Sequence, residues 1–186
     1  MKDDKCLISR LESLALTCGA TGAAAIPVTS IVTSADFRRI CESNSCGKYN
    51  RCWVCPPHIG QIDDLILQIR QYPSALLYQT VSPLEDSFDI EGMLKAGAHH
   101  ASLSQRLQRA CTDVLKENFL HLTCGGCHLC EQCAKMSDEP CRQPEKALPS
   151  LEGDGVEVYQ TVRNTNLRYI NGANTVTYFG MILLKE

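Results

Sequence analysis

The segment QIDDLILQIRQYPSALLYQTV, residues 61–81, sets a helix directly before a strand. Ile62, Leu65, Ile66 and Ile69 recur at the period of one helix face, which predicts a helix over 61–71. Residues 74–81, SALLYQTV, form an apolar run of strand length. The same alternation continues on both sides. Toward the N-terminus, Leu7, Ile8, Leu11 and Leu14 mark a helix over 3–17, and Gly19 sits just past its end. Residues 22–32, GAAAIPVTSIV, read as a strand that Pro27 pushes toward a sheet edge. Ser34 caps a short helix running through Arg38 and Arg39. Toward the C-terminus, a helix starting at Phe88 or Glu91 runs to about Asn118. Its expected buried stripe is Leu103, Leu107, Ala110, Val114 and Leu115. Residues 119–123 read as a short strand and 174–184, NTVTYFGMILL, as a closing one. Residues 156–166 fit a helix or a strand equally. Alternating elements of this kind predict one α/β domain over 1–186, a small sheet covered by helices.

Composition narrows the class of protein. The chain has 186 residues, 44% hydrophobic and 21% charged, values ordinary for a globular domain. The net charge of −3 leaves no basic footprint for nucleic acid. The longest apolar runs, such as 23–26 and 181–184, fall far short of the ~20 residues of a membrane helix. The first ten residues, MKDDKCLISR, are charged where a signal peptide has an apolar core. Twelve cysteines are the exception to this ordinary composition. Without a signal peptide they predict a reducing cytoplasm, where disulfides are rare and clustered thiols bind metal. Cys6, Cys18 and Cys111 are scattered. The other nine fall in two loops, at 41–60 and 124–144.

The second loop reads CGGCHLCEQCAKMSDEPCRQP. Cys127, Cys130 and Cys133 follow one another at x2 spacing, and Cys141 lies beyond, between Pro140 and Pro144. Three closely spaced thiols wrap the backbone around one centre and suit three corners of an iron–sulfur cubane. Bacterial ferredoxins pair such a run with a remote cysteine beside a proline. Zinc is the alternative, although structural zinc favours two separated C-x2-C pairs. Cys124 makes a further C-x2-C step with Cys127 and leaves a shifted register open. His128 reads as a solvent-facing loop residue and His121 as structural.

The first loop, RRICESNSCGKYNRCWVCPPHIG, places Cys41, Cys46, Cys52 and Cys55 within fifteen residues. Their x4, x5, x2 spacing is neither a standard zinc nor a standard ferredoxin pattern. Pro56-Pro57 stiffens the exit. Trp53 and Tyr49 either shield a cluster or belong to the core. Arg38, Arg39 and Lys48 either offset thiolate charge or are solvated surface. A single Cys nucleophile served by His58 would be poorly placed among four thiols.

These two motifs resemble a known family. The residues are Cys41-x2-Asn44-x-Cys46-Gly47-x-Tyr49, then Trp53-x-Cys55-Pro56-Pro57-x2-Gly60. With them go the Cys127–Cys133 run and Pro140-Cys141-Arg142-x-Pro144-Glu145-Lys146-Ala147-x-Pro149-Ser150-Leu151-Glu152. Gly155-Val156-Glu157-Val158 and a last strand with Tyr178 and Gly180 complete the match. The chain thereby resembles the prokaryotic cysteine-rich family of predicted metal-binding proteins of unknown function. The resemblance implies a cysteine-bound metal centre of the [4Fe–4S] kind and no settled reaction. It implies Cys41, Cys46 and Cys55 as shared thiols and leaves Cys52 in doubt. The chain departs from the family at Asn50 and Asn166, where Gly is usual.

Three functions from different classes follow. The leading one is a small iron–sulfur protein with one or two [4Fe–4S] clusters that passes electrons to a redox partner protein or bound cofactor. Gly19-x2-Gly22 is not a dinucleotide fingerprint and no Walker A motif is present, so the electrons come from another protein. The second is an enzyme whose open-site cluster acts on a small molecule or corrinoid. The third is a zinc-stapled interaction module. The predicted metal ligands are Cys127, Cys130, Cys133 and Cys141, with Cys41, Cys46, Cys52 and Cys55 as a second set.

Overall fold

The computed structural model describes residues 2–116 and 118–185, with side chains from residue 7 onward; the Cys6 thiol lies outside the described residues. Helix α1 (Lys2–Thr17) leads into β1 (Gly22–Pro27), then α2 (Phe37–Glu42) and α3 (Ile62–Arg70). Strand β2 (Ser74–Pro83) is followed by α4 (Ile90–Leu115), β3 (Phe119–Leu122), α5 (Val158–Val162) and β4 (Thr175–Leu184). The architecture is the expected α/β fold. The sheet has four strands in the order β1-β2-β4-β3, every pair antiparallel.

Side chains on a strand alternate between faces, and here both faces are covered. Leu76, Tyr78, Ile182 and Leu184 meet Leu11 and Ala15 of α1 and Leu103, Leu107 and Cys111 of α4. On the other face, Leu77, Met181 and Leu183 meet Ile69 of α3, Val158 and Val162 of α5, and Leu151 and Val156. Tyr78 and Gly180 are cross-strand partners. A Cβ at Gly180 would lie 2.2 Å from the Tyr78 ring, so only glycine fits under that ring.

Several expectations need correction. The first strand stops at Pro27 instead of reaching 32; a 3₁₀ turn, Val28–Ser30, follows, and Ile31 drops into the core. Pro27 does sit on an edge strand, where its missing N–H costs no ladder bond. Cys41 belongs to the last turn of α2, so the first loop begins one residue past Glu42. Ser34 accepts from the Asp36 N–H at 3.2 Å, but Asp36 is the residue before α2. In α4, Leu103, Leu107 and Leu115 are buried as expected, while Cys111 takes the place given to Ala110 and Val114. Asp89 caps α4 by accepting from the Gly92 N–H at 2.7 Å. The undecided segment 156–166 contains α5, with Val158, Thr161 and Val162 buried at helical spacing.

Candidate metal centre

Both cysteine loops start from the ends of regular elements. The first runs from α2 to α3 and is folded by its own turns. Tyr49 N–H donates to Asn44 Oδ1 at 3.0 Å, and Asn50 N–H donates to the Pro56 carbonyl at 2.9 Å. Asn50 has a φ of +56°, the left-handed region that glycine and asparagine tolerate best. Asn50 therefore fills a position where the family resemblance expects glycine. Its Oδ1 also lies 2.8 Å from His58 Nε2. The second loop leaves β3 at Thr123 and is pinned where it returns. Thr123 N–H donates to the Pro149 carbonyl at 2.9 Å, and Leu151 N–H to the Thr123 carbonyl at 2.8 Å.

The two loops dock on each other. Trp53 Nε1 donates to the Glu139 carbonyl at 2.8 Å. Arg51 Nε points at Met136 Sδ at 3.3 Å, and the Lys135 ammonium lies 5.1 Å over the Trp53 ring. A Cβ at Gly126 would come within 2.9 Å of the Lys48 stem, so glycine there lets the first loop close on the second. Trp53 thus belongs to the seam between the loops rather than to either core cluster of the sheet. Its ring also meets His58 edge-on, with centroids 5.1 Å apart.

The docking brings thiols together across the seam. Cys52 is 1% exposed and Cys55 7%. The Cys52 thiol lies within hydrogen-bonding reach of the thiols of Cys127 and Cys55, and the main-chain N–H groups of Val54 and Cys127 also point at it. These hydrogen bonds lower the pKa of the Cys52 thiol, while burial opposes them. Cys55 and Cys127 are pushed up, each first by its bond to Cys52 and then by burial. Leu129 N–H points at Cys127, and Gln143 Nε2 lies 3.6 Å from Cys130 Sγ. Cys41, half-buried, is raised by burial, with Arg38 opposing. Cys46 is exposed; Cys130, Cys133 and Cys141 are half-buried along the second loop. Cys124 stands apart: burial pushes its thiol up to about 12, and its side-chain hydrogen bond is with Thr123.

The predicted charges divide. Arg38 donates to the Gly60 carbonyl at 2.9 Å and faces Cys41, whereas Arg39 pairs with Asp36 in solvent. His121 is structural as expected, buried between Tyr78 and Gln108. His128 is exposed. Two residues escaped the sequence reading. Gln143 has no spacing signature, since any amide within reach of a sulfur can donate to it. Glu152, at the end of the second motif, is half-buried near Cys41 and Cys124, and burial raises its pKa.

Among the described residues, no three Cys, His, Asp or Glu side chains are already arranged as an ion cage. The donor chemistry nevertheless fits a thiophilic metal. Thiols from two loops approach each other, and main-chain and amide N–H groups are aimed at sulfur. A small antiparallel α/β fold carrying two mutually docked cysteine loops defines a cysteine-rich protein whose clustered thiols suit a metal. The chain belongs to the family described as predicted metal-binding protein (DUF2284), which matches residues 24–184 and so takes in both loops. No curated protein and no solved structure matches it. Among the described residues no helix is long and apolar enough to cross a membrane.

Proposed function

We propose that this chain is an iron–sulfur protein that passes electrons to a partner protein, with one or two [4Fe–4S] clusters held where its cysteine loops meet. The approach of Cys52 to Cys127 carries the reading, because it joins both thiol sets into one region. Cys127, Cys130, Cys133 and Cys141 form one ligand set, and Cys41, Cys46, Cys52 and Cys55 the other. Such a cluster supplies one-electron transfer, at a potential set by hydrogen bonds to sulfur and by exposure to water. The chain's own residues serve both ends. Gln143 and the N–H groups of Val54 and Leu129 stabilise sulfur charge, while Trp53 closes the seam.

The same contact supports a second reading. Cys52-x2-Cys55 and Cys127-x2-Cys130 are two C-x2-C pairs on separate segments, the arrangement structural zinc uses. Zinc would staple the loops and carry no electrons.

Colour separates the two readings. Protein purified without oxygen from iron-replete cells is expected to show a broad shoulder near ~400 nm that bleaches with dithionite. A colourless preparation containing zinc alone contradicts the electron-transfer reading and establishes the zinc one.

A further inference from the structure

A cavity of about 600 Å³ lies between α4 and the start of the second cysteine loop, within the ~300–1,000 Å³ typical of small-molecule sites. Gly97, Ala98 and Ala101 leave this face of α4 without bulk, and the chain from Thr123 to Cys127 forms the opposite wall. Met93, Leu129 and Leu148 add apolar surface. Among the described residues the lining holds no Asp, Glu, Lys or Arg; its ionisable groups are the Cys124 and Cys127 thiols, the Tyr178 phenol and the exposed His128. A carboxylate guest would lose its water there and find no Lys or Arg to pair with.

The wall does hold two fixed hydroxyls. Ser104 and Thr123 both line the cavity, with Oγ and Oγ1 3.0 Å apart. Ser104 Oγ is 2.8 Å from Tyr78 Oη, which is 2.7 Å from His121 Nε2; His121 Nδ1 is 2.9 Å from Gln108 Oε1. Tyr78, Ser104 and His121 are buried, so this chain of bonds locks the hydroxyls in place before any guest arrives.

We infer that the cavity binds an uncharged, largely apolar small molecule bearing one hydrogen-bonding oxygen, seated against Thr123, whose hydroxyl Ser104 holds in place, and beside Cys127. The binding stands on the cavity itself. Only its use, as the molecule next to a redox centre at Cys127, rests on the electron-transfer reading.

Equilibrium dialysis of the full-length, anaerobically purified protein tests this with three probes: 2-naphthol, naphthalene and 2-naphthoate. The expected result is saturable binding of 2-naphthol, weaker binding of naphthalene and none of 2-naphthoate. Ala101→Trp, at an exposed helix position, should fill the cavity and abolish binding, and Ala98→Trp should repeat the effect. Thr123→Val should weaken 2-naphthol about threefold to tenfold, the worth of one neutral hydrogen bond, and leave naphthalene unchanged. Absence of saturable 2-naphthol binding overturns the inference. So does binding that survives both tryptophan variants, or 2-naphthoate binding as tightly as 2-naphthol. Metal content, measured on the same samples, keeps the two proposals apart. Binding lost with iron retained sinks this inference alone; binding retained with no iron sinks the electron-transfer reading alone.

Discussion

The Cys52 thiol lies within hydrogen-bonding reach of the Cys127 thiol, so the two cysteine loops share one thiol-rich region. Neither loop could place its thiols there alone. The first is held against the second by Trp53, Arg51 and Lys48, and the second is pinned at its base by Thr123 and Leu151.

Cys52→Ser is expected to lower metal content in the region fed by both loops. Its sulfur reaches both sets, and removing it leaves Cys55 and Cys127 without their shared partner. Metal analysis of the anaerobic protein reads the outcome. Content equal to wild type would place Cys52 outside the centre.

Cys127→Ser, Cys130→Ser, Cys133→Ser and Cys141→Ser should each lose most of the metal bound by the second loop. Cys111→Ser should retain it, because Cys111 is buried among α1, α4 and the sheet, with Cys18 as its neighbouring thiol. Cys124→Ser should retain it as well, since its hydrogen bond runs to Thr123 and not to another thiol. Loss of metal in Cys124→Ser would restore the shifted register.

Trp53→Phe deletes the bond from Nε1 to the Glu139 carbonyl while keeping most of the ring. The expected cost is about 1 kcal/mol, or about 2–4 °C in Tm for a chain of this size. Because the bond spans the seam, metal should also leave faster when a chelator is added. Unchanged chelation kinetics would show that the seam does not guard the centre.

Asp154→Asn should change stability in a pH-dependent way. Asp154 is 2% exposed, and its Oδ1 has no hydrogen-bond partner. Burial holds its pKa up to about 7, against an ordinary 3.8, with Arg38 opposing. The folded state therefore binds this proton more tightly than the unfolded chain. Its stabilising contribution is complete below the unfolded value and is lost as pH rises through about 7. Relative to wild type, the Asn variant should gain stability between pH 5 and pH 8, read as a shift in urea midpoint. An identical difference at both pH values would contradict the assignment.

Gly180→Ala should destabilise the domain by about 1–3 kcal/mol or more, because its Cβ enters the Tyr78 ring from the neighbouring strand. Tyr78 cannot swing away without breaking its bonds to Ser104 and His121. A Tm close to wild type would mean that the ring moves freely.

Much of this fold was legible in the chain. Helices α1, α3 and α4 follow from periodic Leu and Ile, and Pro27 alone predicted the edge position of β1. Segment 156–166 was ambiguous because five residues of helix give barely more than one turn of pattern. The end of β1 was misjudged because Val28 to Val32 has the composition of a strand, while the chain there turns into a 3₁₀ segment. The two thiol groups were legible as groups, but their meeting was not. It depends on Trp53 reaching the Glu139 carbonyl and on Gly126 admitting Lys48, contacts between distant segments that no local spacing encodes.

Counting iron, acid-labile sulfide and zinc per chain in anaerobically purified protein tests the central claim most directly. Two cubanes give about eight irons with matching sulfide, and one gives about four. The account predicts one of these two values, lowered by Cys52→Ser and unaltered by Cys111→Ser. Zinc with neither iron nor sulfide would contradict it.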